Sequence, residues 1–208
     1  MKTSYYYFLV VFFSLILTVI SKYLLNLDEL TYISLSEEFS KQQIENYLKL
    51  QSKWNWVGYI ILPLVILIRS TLVSICLNIG FFFYDFTNKI KFKQFFRIAV
   101  IGEFVLLTAG IFKLVYFIKT EFSLEQLQQF YPLSYTNFLD ISKLEPWLIY
   151  PLQTINLFEI AYFFVLVYGF HNLIKKKYIK SFEIVAVSYG TGLLIWIGLI
   201  MFLTLNMS

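Results

Sequence analysis

Four ionisable side chains interrupt otherwise apolar stretches of this sequence: Arg69, Glu103, Lys113 and Glu159. An ionisable group inside a bilayer costs roughly 2.5–3.5 kcal/mol on insertion scales, so such groups usually face the interior of a helix bundle. There they either pair with each other and lock the bundle, or line a polar cavity or ion path. We treat these four residues as a candidate intramembrane polar network.

Depth along the predicted helices suggests two ion pairs in this network. At a rise of about 1.5 Å per residue, Arg69 and Glu103 lie within about one helical turn in height on consecutive antiparallel helices. Lys113 and Glu159 are matched in the same way, on the third and fourth helices. An alternative for Lys113 is that its long side chain snorkels to the membrane surface.

Other reactive side chains are sparse. The sequence has one histidine, His171, and one cysteine, Cys76, which exclude His or Cys clusters for a metal and any intramolecular disulfide. It contains no GxSxG, HExxH, P-loop or GxGxxG motif, and no nucleophile is paired with a base. We therefore expect no catalytic residues, no cofactor and no metal site, and the chain is not expected to be an enzyme.

The composition defines the class. Hydrophobic residues make up 59% of the 208 residues and charged residues only 14%, whereas soluble domains are about 25% charged. Five apolar runs approach the roughly 20 residues needed to cross a bilayer. The sequence thus predicts an all-α fold, a polytopic transmembrane helical bundle forming one membrane domain over residues 1–208. The expected spans cover residues 5–25, 56–80, 98–118, 152–174 and 182–205.

The segments between the spans carry their own patterns. Short amphipathic helices are expected in the two long loops, residues 28–53 and 121–147, and Ser123 with Gln126 matches a capping box. In residues 85–97, phenylalanines alternate with lysines and an arginine. That alternation is typical of a helix lying on an anionic membrane surface.

Charge predicts the orientation. Residues 1–4, 85–97 and 175–180 together carry nine Lys or Arg and one acid, Asp85, whereas the opposite side carries six basic and nine acidic residues. The positive-inside rule places the basic side in the cytoplasm. We expect an integral protein of the bacterial inner membrane with its N-terminus in the cytoplasm and its C-terminus outside. Basic residues beside apolar spans also argue against nucleic acid as a partner.

Small residues recur along the fifth span: Ser188, Gly190, Gly192 and Gly198. Small side chains let another helix approach closely in a membrane. These four positions are the candidate helix-packing residues.

Several stretches resemble the Yip1-like family of five-span membrane proteins, in its bacterial branch. They are residues 130–134 (FYPLS), 156–159 (NLFE), 166–170 (LVYGF) and 188–192 (SYGTG), together with the order of spans. The resemblance extends from about Lys93 to the end of the chain. It implies an integral membrane protein that acts through partners and has no established chemistry.

Three classes of function remain at this point. The first is a scaffold or accessory subunit of a membrane complex, with the lipid bilayer and one or more membrane proteins as partners. The alternative is a small transporter or channel that uses the intramembrane charged residues. An intramembrane enzyme is the least favoured class, for want of a nucleophile and base.

Overall fold

A computed structural model of the chain describes residues 3–36, 38–85 and 90–207, without the side chain of Ser142. Lys2, Glu37 and Lys89, which entered the charge argument, lie outside these residues. The described residues form helices and turns with no β-strand among them, so the all-α prediction is confirmed. Five of the helices are long and apolar enough to cross a membrane, as in an integral membrane protein.

The eight α-helices follow one another with short connections. They are α1 (Thr3–Leu24), α2 (Leu27–Leu35), α3 (Lys41–Tyr84), α4 (Phe92–Ile118), α5 (Leu124–Gln129), α6 (Pro146–Thr154), α7 (Leu157–Ile174) and α8 (Tyr178–Met207). The five long apolar helices are α1, α3, α4, α7 and α8. Two short 3-10 turns, Tyr135–Phe138 and Ile141–Lys143, lie between α5 and α6.

The bundle has two distinct ends. We call the end formed by Tyr84, Phe92, Ile174 and Tyr178 the lysine-rich end, because Lys91, Lys93 and Lys175 to Lys177 lie beside it. The opposite end carries α2, α5 and α6 and is called the loop end. The two ends provide fixed levels from which heights along the helices can be counted.

Helix α3 is longer than its predicted span. It begins at Lys41, where Ser40 and Gln43 form a capping box, and its 44 residues extend over about 66 Å. Within residues 28–53, a short helix does form at α2, but the second half of the loop is the first part of α3. The capping box starts the helix early, and no helix breaker follows before the apolar run.

Residues 85–97 do not form a separate surface helix in the described part of the chain. Instead, α4 starts at Phe92 and continues through Arg97 into the apolar run. The backbone N–H of Lys91 donates to the side chain of Gln94 at 3.2 Å, which caps the helix at this point. The alternation of phenylalanine and basic residues is therefore the first two turns of a long helix.

The predicted span over residues 152–174 is divided in the structure. Helix α6 ends at Thr154 and α7 begins at Leu157, with Asn156 in an extended conformation between them. The Asn156 side chain accepts the Glu159 backbone N–H at 2.7 Å, which caps α7. Because Asn156 prefers to cap rather than continue a helix, the apolar pattern runs across a break that it does not reveal.

The main core lies between α3, α4, α7 and α8. At its centre near the lysine-rich end, the rings of Phe81, Phe95 and Phe170 are 5.8 to 6.3 Å apart between centroids. Helix α1 packs on the outside of this group, where Val10 contacts Val100 and Ile66. This arrangement leaves the four core helices to position the polar side chains.

Candidate functional site

The predicted pair of Arg69 and Glu103 is formed. Arg69 of α3 donates through Nε to Glu103 Oε1 of α4 at 3.0 Å, and a second bond joins Arg69 Nη2 to Glu103 Oε2. Ser70 adds a longer hydroxyl contact to Glu103 Oε1 at 3.4 Å. The two-pronged geometry is the strong form of an arginine–carboxylate pair.

The two members of this pair differ in exposure. The Glu103 side chain is 1% exposed, whereas the Arg69 side chain is 46% exposed. Glu103 therefore lies inside the bundle, whereas nearly half of the Arg69 side-chain surface is exposed. Sequence reasoning placed both residues in the interior, so this exposure of Arg69 is a correction to that expectation.

The polar residues lie near the middle height of the bundle. Arg69 and Glu159 each stand 15 residues from the lysine-rich end of their helix, which is about 22 Å. Between this cluster and the lysine-rich end, the next charged residues are Arg97 on α4 and Glu183 on α8. Each lies five residues from that end, which is about 8 Å. A bilayer core about 30 Å thick that begins at Arg97 has its middle at about 22 Å.

Glu159 has a different partner from the one predicted. It occupies the first turn of α7, where the positive end of the helix dipole favours a carboxylate. Its Oε1 accepts a hydrogen bond from the hydroxyl of Tyr189 on α8. Glu159 also interacts electrostatically with Arg69 and with Glu103, so α3, α4, α7 and α8 all contribute to one polar cluster.

Tyr162 lies at the centre of this cluster. It is 1% exposed, and its ring centroid is 5.7 Å from that of Tyr189. Its hydroxyl interacts electrostatically with Glu103, Arg69 and Glu159. Within the described part of the chain, that hydroxyl has no hydrogen-bond partner. A buried polar atom without a partner is costly, and native structures contain few of them.

The break between α6 and α7 lies directly above the cluster, toward the loop end. Backbone hydrogen bonds join the loop before α6 to this break. The Tyr135 N–H donates to the Ile155 carbonyl at 2.9 Å, and the Leu157 N–H donates to the Leu133 carbonyl at 3.2 Å. Ser134 is paired with Asn156 as an isolated bridge. This pairing satisfies backbone groups that the interrupted helix leaves free, as irregular backbone at membrane depth requires.

Tyr131 connects this loop to the cluster. Burial, and after it the negative charge of Glu159, raises the pKa of the Tyr131 phenol above its ordinary value. Arg69 acts on the same phenol in the opposite direction. The three segments FYPLS, NLFE and SYGTG of the sequence analysis thus meet here, through Tyr131, Glu159 and Tyr189.

Lys113 does not belong to the cluster, so the predicted Lys113–Glu159 pair is wrong. Helix α4 begins at Phe92, six residues before the expected start of the span. Lys113 therefore lies farther from the lysine-rich end than the predicted span implied, and farther than Glu159. Counted from the lysine-rich end, Lys113 lies about 9 Å above Glu159. It is half-buried, close to the loop end of α4.

Two of the four candidate helix-packing residues contact another helix of this chain. A Cβ atom at Gly192 would come 2.5 Å from Cys76 Sγ of α3, and one at Gly80 would come equally close to Ser188. Around Gly190 and Gly198 the space within 4 Å is open. Ser188 and Gly192 are four residues apart and share a face of α8, whereas Gly190 points elsewhere.

Sequence reasoning missed Tyr162, Tyr189 and Asn156 as members of the site. Tyrosine is common throughout this chain, with 16 residues, so neither tyrosine was distinctive. Asn156 precedes an acidic residue by three positions, which is an N-terminal helix signal that could have revealed the break. His171 is in the last turn of α7, where a histidine is favourable to the helix dipole.

Five helices that are long and apolar enough to cross a membrane, with a polar cluster between four of them, are features of an integral membrane protein. Comparison of the chain with profiles of known protein families, with curated proteins and with solved structures finds no match.

Proposed function

We propose that this chain crosses the bacterial inner membrane five times, with its N-terminus in the cytoplasm, and serves as a scaffold or accessory subunit of a membrane complex. It performs no catalysis in this role. The observation that carries the proposal is the partial exposure of Arg69 at the middle height of the bundle, where its side chain is 46% exposed.

The physical argument starts from the charge of Arg69, which a guanidinium cannot lose by deprotonation. Glu103 binds the Nε and Nη2 atoms, and 46% of the Arg69 side chain remains exposed. Contact of a partly exposed charged side chain with acyl chains is unfavourable. A helix of a second protein that presents a carboxylate, amide or carbonyl oxygen at the same depth would complete the coordination of Arg69.

The orientation part of the proposal rests on the basic side chains. Those described at the lysine-rich end are Lys91, Lys93, Arg97, Lys175, Lys176, Lys177 and Lys180. The acid Glu183 is paired with Lys180 there at 2.6 Å. The excess of positive charge favours the cytoplasmic side for this end. Membership of the Yip1-like family, which we also propose, agrees with a role exerted through partners.

The test is purification in mild detergent. The wild-type protein should bring down a partner in fixed stoichiometry, and the double variant Arg69→Leu/Glu103→Leu should be folded but lack it. Lys113→Gln is the matched control, since it removes a half-buried cation outside the cluster, and it should retain the partner. Wild-type protein that purifies alone, or a double variant that keeps the partner, would contradict the proposal.

A small transporter or channel is the second candidate. The observation in its favour is the break between α6 and α7 beside the polar cluster, since interrupted helices build the ion and substrate sites of many transporters. Ion flux into liposomes that contain only the purified protein would support this candidate over an accessory subunit. Tight liposomes with correctly folded protein would argue against it.

A further inference from the structure

Glu159 stands out among the charges of the cluster. Arg69 and Glu103 neutralise each other in a two-pronged pair, whereas Glu159 receives only a neutral hydroxyl, that of Tyr189. If all three groups are ionised, the cluster carries one net negative charge. In the low dielectric of a bundle interior such a charge is costly, and one added positive charge removes that cost.

We propose that Glu159 is a proton-binding site at the middle height of the bundle, reached from the loop end through the break between α6 and α7. The proton comes from water at the loop end, forms an O–H bond with the Glu159 carboxylate, and returns to water by the same route. This inference goes beyond the accessory-subunit proposal and does not depend on the partner of Arg69.

The oxygen atoms around Glu159 favour a proton over a metal cation. Hard metal cations take about six or more oxygen ligands in proteins. Here Asn156 Oδ1 already accepts the Glu159 N–H, and the Tyr189 hydroxyl already donates to the carboxylate. The Tyr162 hydroxyl is the remaining free group of the cluster described above. A proton requires one carboxylate oxygen and a hydrogen-bond acceptor.

Tyr162 can meet that second requirement. It follows Glu159 by three residues and therefore shares a face of α7 with it. Within the described part of the chain its buried hydroxyl has no partner, so the ionised Glu159 does not reach it. A protonated carboxyl group becomes a donor, and rotation of the Glu159 side chain toward Tyr162 would let the tyrosine hydroxyl accept from it.

The titratable groups around Glu159 come from every element packed against it. They are Arg69 of α3, Glu103 of α4, Tyr162 of α7, Tyr189 of α8 and Tyr131 of the loop. Because Arg69 is bound to Glu103, the guanidinium and the Glu103 carboxylate act on Glu159 together as a neutral pair.

The proposed route follows the polar groups of the break. Ser134, Thr136 and Asn156 are buried there although they are polar. The Ser134 hydroxyl contacts the carbonyls of Leu152 and Gln153 at 3.3 Å. Hydroxyl and carbonyl groups at the end of a half-helix give a proton a path that continuous apolar helix would not provide.

The experiment is infrared spectroscopy of the purified full-length protein in lipid nanodiscs at pH 7. Exposed carboxyl groups, with pKa values of about 4, are ionised at this pH. We expect the C=O stretching band of a protonated carboxyl group, equivalent to one group per chain, which shifts on exchange into heavy water. The Glu159→Gln variant should lose it. Glu183→Gln, the matched control at the lysine-rich end, should keep it.

Three results would overturn the proposal: no such band in the wild type, a band that survives Glu159→Gln, or a band lost on adding sodium chloride. The last result would assign the site to a metal cation. If Glu159→Gln does not fold, Tyr189→Phe replaces it. That variant removes the hydrogen bond to Glu159 and should move the band to higher frequency, and an unmoved band would then overturn the assignment.

Discussion

Gly102 of α4 lies against the ring of Tyr162 of α7, so closely that a Cβ atom at Gly102 would come 2.5 Å from Tyr162 Cε2. The residue after Gly102 is Glu103, and the residue three before Tyr162 is Glu159. One close contact between two helices therefore places both carboxylates at matching heights. A second, Gly169 against Ile98, holds the same two helices nearer the lysine-rich end.

Substituting Gly102 by Ala should destabilise the protein by about 1–3 kcal/mol, because the added methyl group must displace a fully buried ring. The measurement is the melting temperature of the detergent-solubilised protein. Gly58→Ala in α3 is the control: nothing lies within 4 Å of the methyl group, and the better helix propensity of Ala should leave stability unchanged or improve it by up to about 1 kcal/mol. Equal melting temperatures for the two variants would contradict the packing role of Gly102.

Removing Arg69 should cost about 3–5 kcal/mol, because the buried Glu103 carboxylate is left unpaired. Arg69→Leu and Glu103→Leu should each lower the yield of monodisperse protein, and the double variant should recover much of it. Size-exclusion chromatography in detergent measures the yield. Two single variants that are as abundant as the wild type would show that the pair is not needed for folding.

Gly192 and Gly190 provide a matched comparison within α8. Gly192→Ala directs a methyl group at Cys76 Sγ and should lower the melting temperature, whereas Gly190→Ala projects into open space. The reaction rate of the Cys76 thiol with a maleimide is a second measurement. Looser packing should make this reaction faster in Gly192→Ala but not in Gly190→Ala. Faster labelling in Gly190→Ala as well would mean that Gly192 does not control this contact.

Alkaline pH should weaken the loop that covers the cluster. The pKa of the Tyr131 phenol is raised by burial and then by Glu159, above a value of about 10 in the unfolded chain. A group with a raised folded pKa contributes stability that is present below the unfolded pKa and is lost as the pH rises through the folded pKa. Between pH 9 and pH 12, the wild type should therefore lose more thermal stability than Tyr131→Phe, and parallel losses would refute this coupling.

The orientation can be tested by labelling single cysteines in intact cells, in a Cys76→Ala background. A cysteine at Lys177 should react with an impermeant maleimide only after the cells are opened. A cysteine at Gln128 should react from outside, since positive charge marks the cytoplasmic end. Labelling of both positions from the same side would exclude the five-span topology.

The sequence predicted the Arg69–Glu103 pair but not the Glu159–Tyr189 bond. Arg69 and Glu103 lie on consecutive helices, where counting residues from a shared turn is enough to compare depths. Lys113 and Glu159 are separated by a long loop whose shape the sequence does not predict. The start of α4 was predicted six residues too late, so the predicted depth of Lys113 was wrong and the two residues do not lie at the same height. Tyr189 gave no signal because a tyrosine in an apolar span is ordinary.

The apolar runs by themselves determined the class of protein and the presence of five long helices, because the transfer of a segment from water to lipid depends mainly on that segment's own composition. The tertiary structure decided the break at Asn156, the burial of Tyr162 and the partial exposure of Arg69. These features depend on the rotation of each helix about its axis and on the register between helices distant in the chain. Close contacts such as that of Gly102 with Tyr162 determine the rotation and the register. The sequence of a single helix predicts neither of them.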